Sequence, residues 1–237
     1  MTAKTPPHRL ESEYVRGQLS LRRRDANAAE PRAAGEYVLY WMQATHRFED
    51  NWALRYAVLQ ADALGKPLLI HQGLDPTYEH ANDRIHTVIL ENAKALHRRA
   101  ERLGLRYQFV LRRRRDDDRR VVDRLAARAA LVVTDLFPTA GIAERTARFA
   151  ERCPVKLVAV ESHCIVPYGN FVKEEYAART IRPKILKVLD HALEPVEDRG
   201  PRAAFPQALW ESIEVDRLDL ATLDVPAAVA SCEIDHA

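Results

Sequence analysis

Glycine is missing from the stretch where a nucleotide-binding α/β protein needs it most. The chain has 8 glycines in 237 residues, and none lies between Gly35 and Gly65. The first long apolar run ends inside that gap, so neither a G-x-G-x-x-G turn nor a P-loop can follow it. Cysteine is equally thin. Cys153, Cys164 and Cys232 stand without C-x-x-C spacing, which argues against a disulfide framework and a zinc site and suits a reducing compartment. There is no G-x-S-x-G elbow, and the 9 histidines form no H-E-x-x-H pair. No run of about 18 apolar residues occurs and the N-terminus has no apolar signal core, so a cytoplasmic protein with no membrane attachment is expected. A net charge of +2 argues against the strongly basic class of nucleic-acid-binding proteins.

What is present is a core-forming composition, 47% hydrophobic, arranged as alternating strands and helices. Residues 37–42, Tyr-Val-Leu-Tyr-Trp-Met, read as a strand buried on both faces. Polar residues follow at once, and from Glu49 helical spacing places Trp52, Tyr56, Leu59 and Ala63 on one face until Gly65 and Pro67 stop it. Further strands are expected at residues 67–72, 105–111 (an edge strand, interrupted by Arg106 and Gln108), 130–134 and 155–160, with helices between them. The pattern predicts an α/β fold: a three-layer, doubly wound, five-stranded parallel sheet with right-handed crossovers. Spacing alone does not give the strand order, but 3-2-1-4-5 would set the first and fourth strands side by side. Its switch-point crevice would then open at the carboxyl ends of the first and fourth strands.

The flanks read differently. Residues 1–35 are expected to be a basic, partly disordered extension with a short helix near 12–21 and no part in the core. Residues 36–193 form the α/β domain, within which a helix beginning at Lys173 should end or kink at Pro183. Residues 194–237 read as a linker and a tail whose Leu218, Leu220, Leu223 and Val225 have no evident partner. An exposed apolar tail favours association, as a homo-oligomer or in a complex.

Four segments share one further pattern: Tyr-Trp-Met-Gln at 40–43, Arg-Phe-Glu-Asp-Asn-Trp at 47–52, Val-Glu-Ser-His-Cys-Ile-Val-Pro at 160–167, and above all Glu-Tyr-Ala-Ala-Arg-Thr-Ile-Arg-Pro-Lys-Ile at 175–185. Together they resemble the Rossmann-like N-terminal α/β domain of the class II cyclobutane pyrimidine dimer DNA photolyases, within the photolyase/cryptochrome family. The resemblance spans roughly residues 10–193. In that family the FAD, the dimer pocket and the flavin-reducing tryptophans lie in a C-terminal helical domain. The resemblance therefore implies that this chain lacks the catalytic half, that residues 210–237 are its connector, and that FAD and DNA would be reached only through a separate flavin domain. It also implies that an antenna chromophore, a deazaflavin or a folate, can sit at the carboxyl side of the sheet.

The strand ends place Trp41, Met42, Gln43, Arg47, Asp50 and Asn51 there, with Asp135 and Glu161 on neighbouring strands; a flat ring would stack on Trp41. Each has a plainer reading: Trp41 and Met42 as core packing, and Arg47, Asp50 and Asn51 as a helix cap. His46, His71 and His163 read as ordinary histidines rather than acid-base groups. The arginines of residues 112–120 could touch DNA phosphate, but Asp116, Asp117 and Asp118 offset them and a solvated loop is favoured. Arg179, Arg182 and Lys184, clustered at the proline, suggest an interface or a salt-bridge role. Two other functions stay open: a chromophore-free interaction or regulatory module on the same fold, and a small-molecule enzyme of the nucleotide-binding α/β group, which the missing phosphate loop disfavours.

Overall fold

A computed structural model describes residues 6–139 and 141–236. Its centre is the apolar run foreseen above: strand β2 (Tyr37–Met42) has all six residues buried. Chain direction then alternates through α2 (Trp52–Leu64), β3 (Leu68–Leu74), α3 (Asp83–Leu103), β4 (Arg106–Leu111), α4 (Val121–Arg128), β5 (Ala129–Asp135), α5 (Ile142–Ala150) and β6 (Leu157–Val160). Gly65 and Gly104 end α2 and α3 in the left-handed conformation (φ 62° and 64°), which a side chain would make costly.

These five strands pair in parallel in the order β4-β3-β2-β5-β6, which is the expected 3-2-1-4-5. A sixth strand was not foreseen. The N-terminal segment supplies α1 (Glu13–Arg22) and β1 (Arg23–Asp25), and β1 adds antiparallel to β6 at the sheet edge.

Two assignments to the flanks need correction. The N-terminal helix is part of the core, since Leu10, Val15 and Leu19 are buried in the same cluster as α2 and α3. Period 3.6 in a single short helix cannot show what its apolar stripe will meet. Likewise the C-terminal segment is not an exposed tail. Leu220, Leu223, Val225 and Val229 are buried in that cluster, α8 (Val225–Ala230) packs on α3, and the Leu218 amide donates to the Phe109 carbonyl of edge strand β4 (2.9 Å). The apolar surface that suggested self-association is thus covered within the chain.

Helices α1, α2, α3 and α8 cover one face of the sheet, while α4, α5 and residues 205–215 cover the other. A last long helix, α6 (Ala178–Ala192), starts five residues later than expected and runs on through Pro183. The proline falls in the second turn and forfeits only the bond to the Arg179 carbonyl, so the helix survives. A short α7 (Gln207–Glu211) follows. Among the described residues no helix is long and apolar enough to cross a membrane.

Candidate functional site

At the carboxyl ends of β2 and β5 the chain turns polar because a buried carboxylate organises the loop. Asp135 Oδ2 accepts from the backbone amides of Gln43 (2.7 Å), Ala44 (2.8 Å) and Thr45 (3.2 Å), and Oδ1 accepts the Tyr40 hydroxyl (2.8 Å). Burial, then the Asp135 charge, pushes the Tyr40 phenol well above its usual range, so it remains a donor. Gln43 Nε2 donates to Thr134 and Thr146 (2.9 Å each). Asn51 caps α2 through Oδ1, which accepts from the Leu54 amide (2.9 Å). Glu161 pairs with Arg22 at the end of β6 and accepts from the Cys164 amide (2.7 Å). Most of these polar atoms are satisfied by one another and so hold the loop in shape, whereas Gln43 Oε1 is buried without a partner among the described residues.

Of the remaining candidates, Trp41 and the pair Arg47 and Asp50 line two different concavities, and Met42 lines neither, because successive residues of a strand point to opposite faces and Met42 turns into the core. Met42 is buried with α2, and Trp41 with α4 and α5. Arg47 and Asp50 line a depression of about 430 Å³ with Trp52, Arg55, His163 and Cys164. Arg55 pairs there with Asp50 and Asp198, and Arg47 makes no ion pair among the described residues but donates to the Asp50 and Ser162 carbonyls (3.2 and 2.8 Å). Its tryptophan is also occupied, since the Arg22 and Arg55 guanidiniums lie 4.7 and 4.5 Å from the Trp52 ring centre. Glu161, His163 and Cys164 hold ligand atoms within 4.8 Å of one another, but a metal cation there would face the Arg22 guanidinium.

Trp41 opens on a different crevice, of about 120 Å³, at the carboxyl ends of β2, β3 and β4. Its floor is Trp41, His71, Gly73 and Val110, and its sides are Val121 and Val122 of α4 and Arg145 of α5. A neighbouring depression of about 290 Å³ shares Val110, Arg112, Asp118 and Val121 with it. Both acids at the rim are matched, Asp75 by Arg112 and Asp118 by Arg124. Arg119 and Arg145 have no such partner among the described residues. Among the described residues Arg145 makes no side-chain hydrogen bond or ion pair, and the Arg119 side chain reaches only the Arg115 carbonyl (3.0 Å). A flat aromatic wall, a buried imidazole and uncommitted guanidiniums make a pocket suited to a heteroaromatic ring with an anionic substituent.

The DNA photolyase profile matches residues 38–202, most of the α/β domain and the whole crevice. The chain belongs to the DNA photolyase family. A deoxyribodipyrimidine photo-lyase of Methanothermobacter thermautotrophicus is 34% identical over 198 residues, covering 83% of this chain and 41% of that protein. The deoxyribodipyrimidine photo-lyase of Arabidopsis thaliana is 30% identical, covering 73% of this chain and 34% of its own length. The chain thus spans well under half the length of these curated relatives. Among solved structures, an archaeal photolyase from Sulfolobus tokodaii, described with two FAD molecules and a novel light-harvesting cofactor, superposes with a TM-score of 0.51 at 14% identity, covering 84% of this chain and 42% of that one. At that identity the likeness shows the photolyase fold alone.

In this photolyase-family domain the basic motif of residues 175–185 lies on the outside. Helix α6 has no buried residue, and Leu186 is 60% exposed. Lys184 pairs with Glu175, Arg179 stacks 5.7 Å from the Tyr176 ring centre, and Arg182 is exposed. Of the crevice residues beyond Trp41, Gly73 and Arg145 were not picked out by sequence, and His71 was read there only as an ordinary histidine. A histidine in an apolar strand carries no signal of its own; only the strand register sets it beside Trp41.

Proposed function

We propose that this chain is the light-gathering domain of a class II-type photolyase, holding a flat antenna chromophore in the Trp41 crevice. The carrying observation is the crevice itself: an aromatic wall, unmatched cations and a position at the carboxyl end of a parallel sheet, where such folds take ligands. The ligand classes that suit it are deazaflavins, folates and flavins, each a planar heteroaromatic with an anionic or polar arm. The second FAD of the Sulfolobus protein supports including flavins. The class II assignment rests on the residues 175–185 motif.

The domain contributes binding and orientation, while the light-driven electron transfer that splits a pyrimidine dimer belongs to FAD in a flavin-bearing photolyase domain. Helix α6, with Arg179, Arg182 and Leu186 outward, is the surface we assign to contact with that domain.

The test is optical. Purified protein, as isolated or after incubation with 8-hydroxy-5-deazariboflavin, FMN or 5,10-methenyltetrahydrofolate, should show a bound band beyond 300 nm, roughly tenfold weaker in affinity for Trp41→Phe. Failure to retain any of the three would leave the chromophore-free module as the better reading. Adding a class II flavin domain in trans and assaying light-dependent dimer repair tests the docking surface, which fails if no association is measured.

A further inference from the structure

Trp41, His71 and Gln108 occupy one register line across three neighbouring strands, Trp41 opposite His71 and His71 opposite Gln108. Past the edge of the sheet the row continues into Arg217, a residue of the C-terminal segment. Arg217 is held rigidly: its guanidinium lies 3.9 Å from the Trp210 ring centre and donates to the Trp210 and Ile213 carbonyls (2.8 Å each). Its Nε donates to Gln108 Oε1 (3.0 Å).

That contact fixes a proton two residues away. Arginine has no acceptor, so the oxygen of the Gln108 amide must face it and the amide nitrogen must face His71. Gln108 Nε2 lies 3.3 Å from His71 Nδ1. An amide nitrogen only donates, so Nδ1 accepts, and the one proton of the neutral ring sits on Nε2. The ring is neutral because His71 is buried, which pushes its pKa down to about 3. Nε2 has no partner among the described residues, and His71 lines the crevice. The space beside it is open because residue 73 is glycine: a Cβ there would lie 3.7 Å from Nε2.

We infer that Arg217 and Gln108 lock His71 as an Nε2–H donor that selects ligands presenting a ring carbonyl oxygen to the floor of the Trp41 crevice. This rests on the chromophore reading above, and it narrows the ligand to the dione edge of a flavin, a deazaflavin or a like ring, with its anionic arm toward Arg145. Arg217 and Gln108 act as positioning residues.

Two measurements on the whole chain separate the parts. Nitrogen-detected NMR of the ¹⁵N-labelled protein reads the tautomer without any ligand: wild type should show Nε2–H at His71, and Gln108→Glu, which can still accept from Arg217 but now also accepts from Nδ1, should switch it to Nδ1–H. Fluorescence titration with 8-hydroxy-5-deazariboflavin and FMN reads the selection. His71→Leu and Gln108→Glu should each bind about tenfold more weakly, His71→Gln should stay close to wild type, and Gly73→Val, with unchanged circular dichroism, should lose binding. Proflavine, a flat tricycle without carbonyls, should bind wild type at least tenfold more weakly than FMN. An Nδ1–H tautomer in wild type, or equal affinity of His71→Leu and wild type, overturns the inference and leaves the chromophore reading standing. Wild type binding neither dione probe, with the Nε2–H tautomer confirmed, overturns the ligand assignment and the chromophore reading together.

Discussion

Arg22 and Glu161 lie 139 positions apart and meet in an ion pair at 3.2 Å with neither side chain exposed to solvent. The pair joins the N-terminal helix to the far end of β6, and Nη1 and Nη2 also donate to the Cys164 and Ile165 carbonyls (2.8 and 2.7 Å), while Nε has no partner among the described residues. Glu161→Gln leaves a buried cation without its counter-charge. It should cost about 3–5 kcal/mol in urea unfolding, since the desolvation of Arg22 is no longer offset. A loss below about 1 kcal/mol would mean that α1 is not held by this pair.

Asp135 makes the same kind of demand on the loop after β2. Asp135→Asn replaces an oxygen that faces only donors with an amide that brings more of them. A loss of about 2–3 kcal/mol is expected. Thermal unfolding of the variant checks it; an unchanged midpoint would show that the three backbone amides find other acceptors.

The stability of the domain should fall in acid partly through His71. Its folded pKa of about 3 lies below the value of 6.5 for an unperturbed histidine. Above pH 6.5 both states are neutral there and the contribution is fully present. As pH falls toward 3 the unfolded chain gains a proton that the folded ring refuses, and stability drops by about 1.4 kcal/mol per pH unit. Burial also lowers the His46 and His86 pKa values, adding slope of the same sign. Comparison of urea midpoints at pH 7 and pH 5 should show a flatter dependence for His71→Gln than for wild type; equal slopes would mean that His71 is not buried neutral.

Leu220 and Leu186 distinguish a covered C-terminal segment from an uncovered helix. Leu220 is 4% exposed and Leu186 is 60% exposed. Leu220→Ala should cost about 2–5 kcal/mol, whereas Leu186→Ala should stay within about 0.5 kcal/mol. Similar small effects from both would show that residues 215–230 do not pack on α3 and β4.

The alternation of five strands with helices, the ends of α2 and α3 at Gly65 and Gly104, and the capping role open to Asn51 were legible in the sequence, because period, glycine placement and the polar residue before a helix are local properties; the order of the strands is not local, and it is the pairing of the fold that establishes 3-2-1-4-5. The family was legible too, through the contiguous residues 175–185. Which side chains share a pocket was decided by the tertiary structure. Trp41 and Met42 are adjacent in the chain yet face opposite sides of the sheet, and His71 and Gln108 join Trp41 only through the register of separate strands. The partners of Leu19 and Leu220 were hidden for the same reason: an apolar stripe announces that it will be buried, but what buries it comes from segments many residues away, chosen by packing of the whole fold.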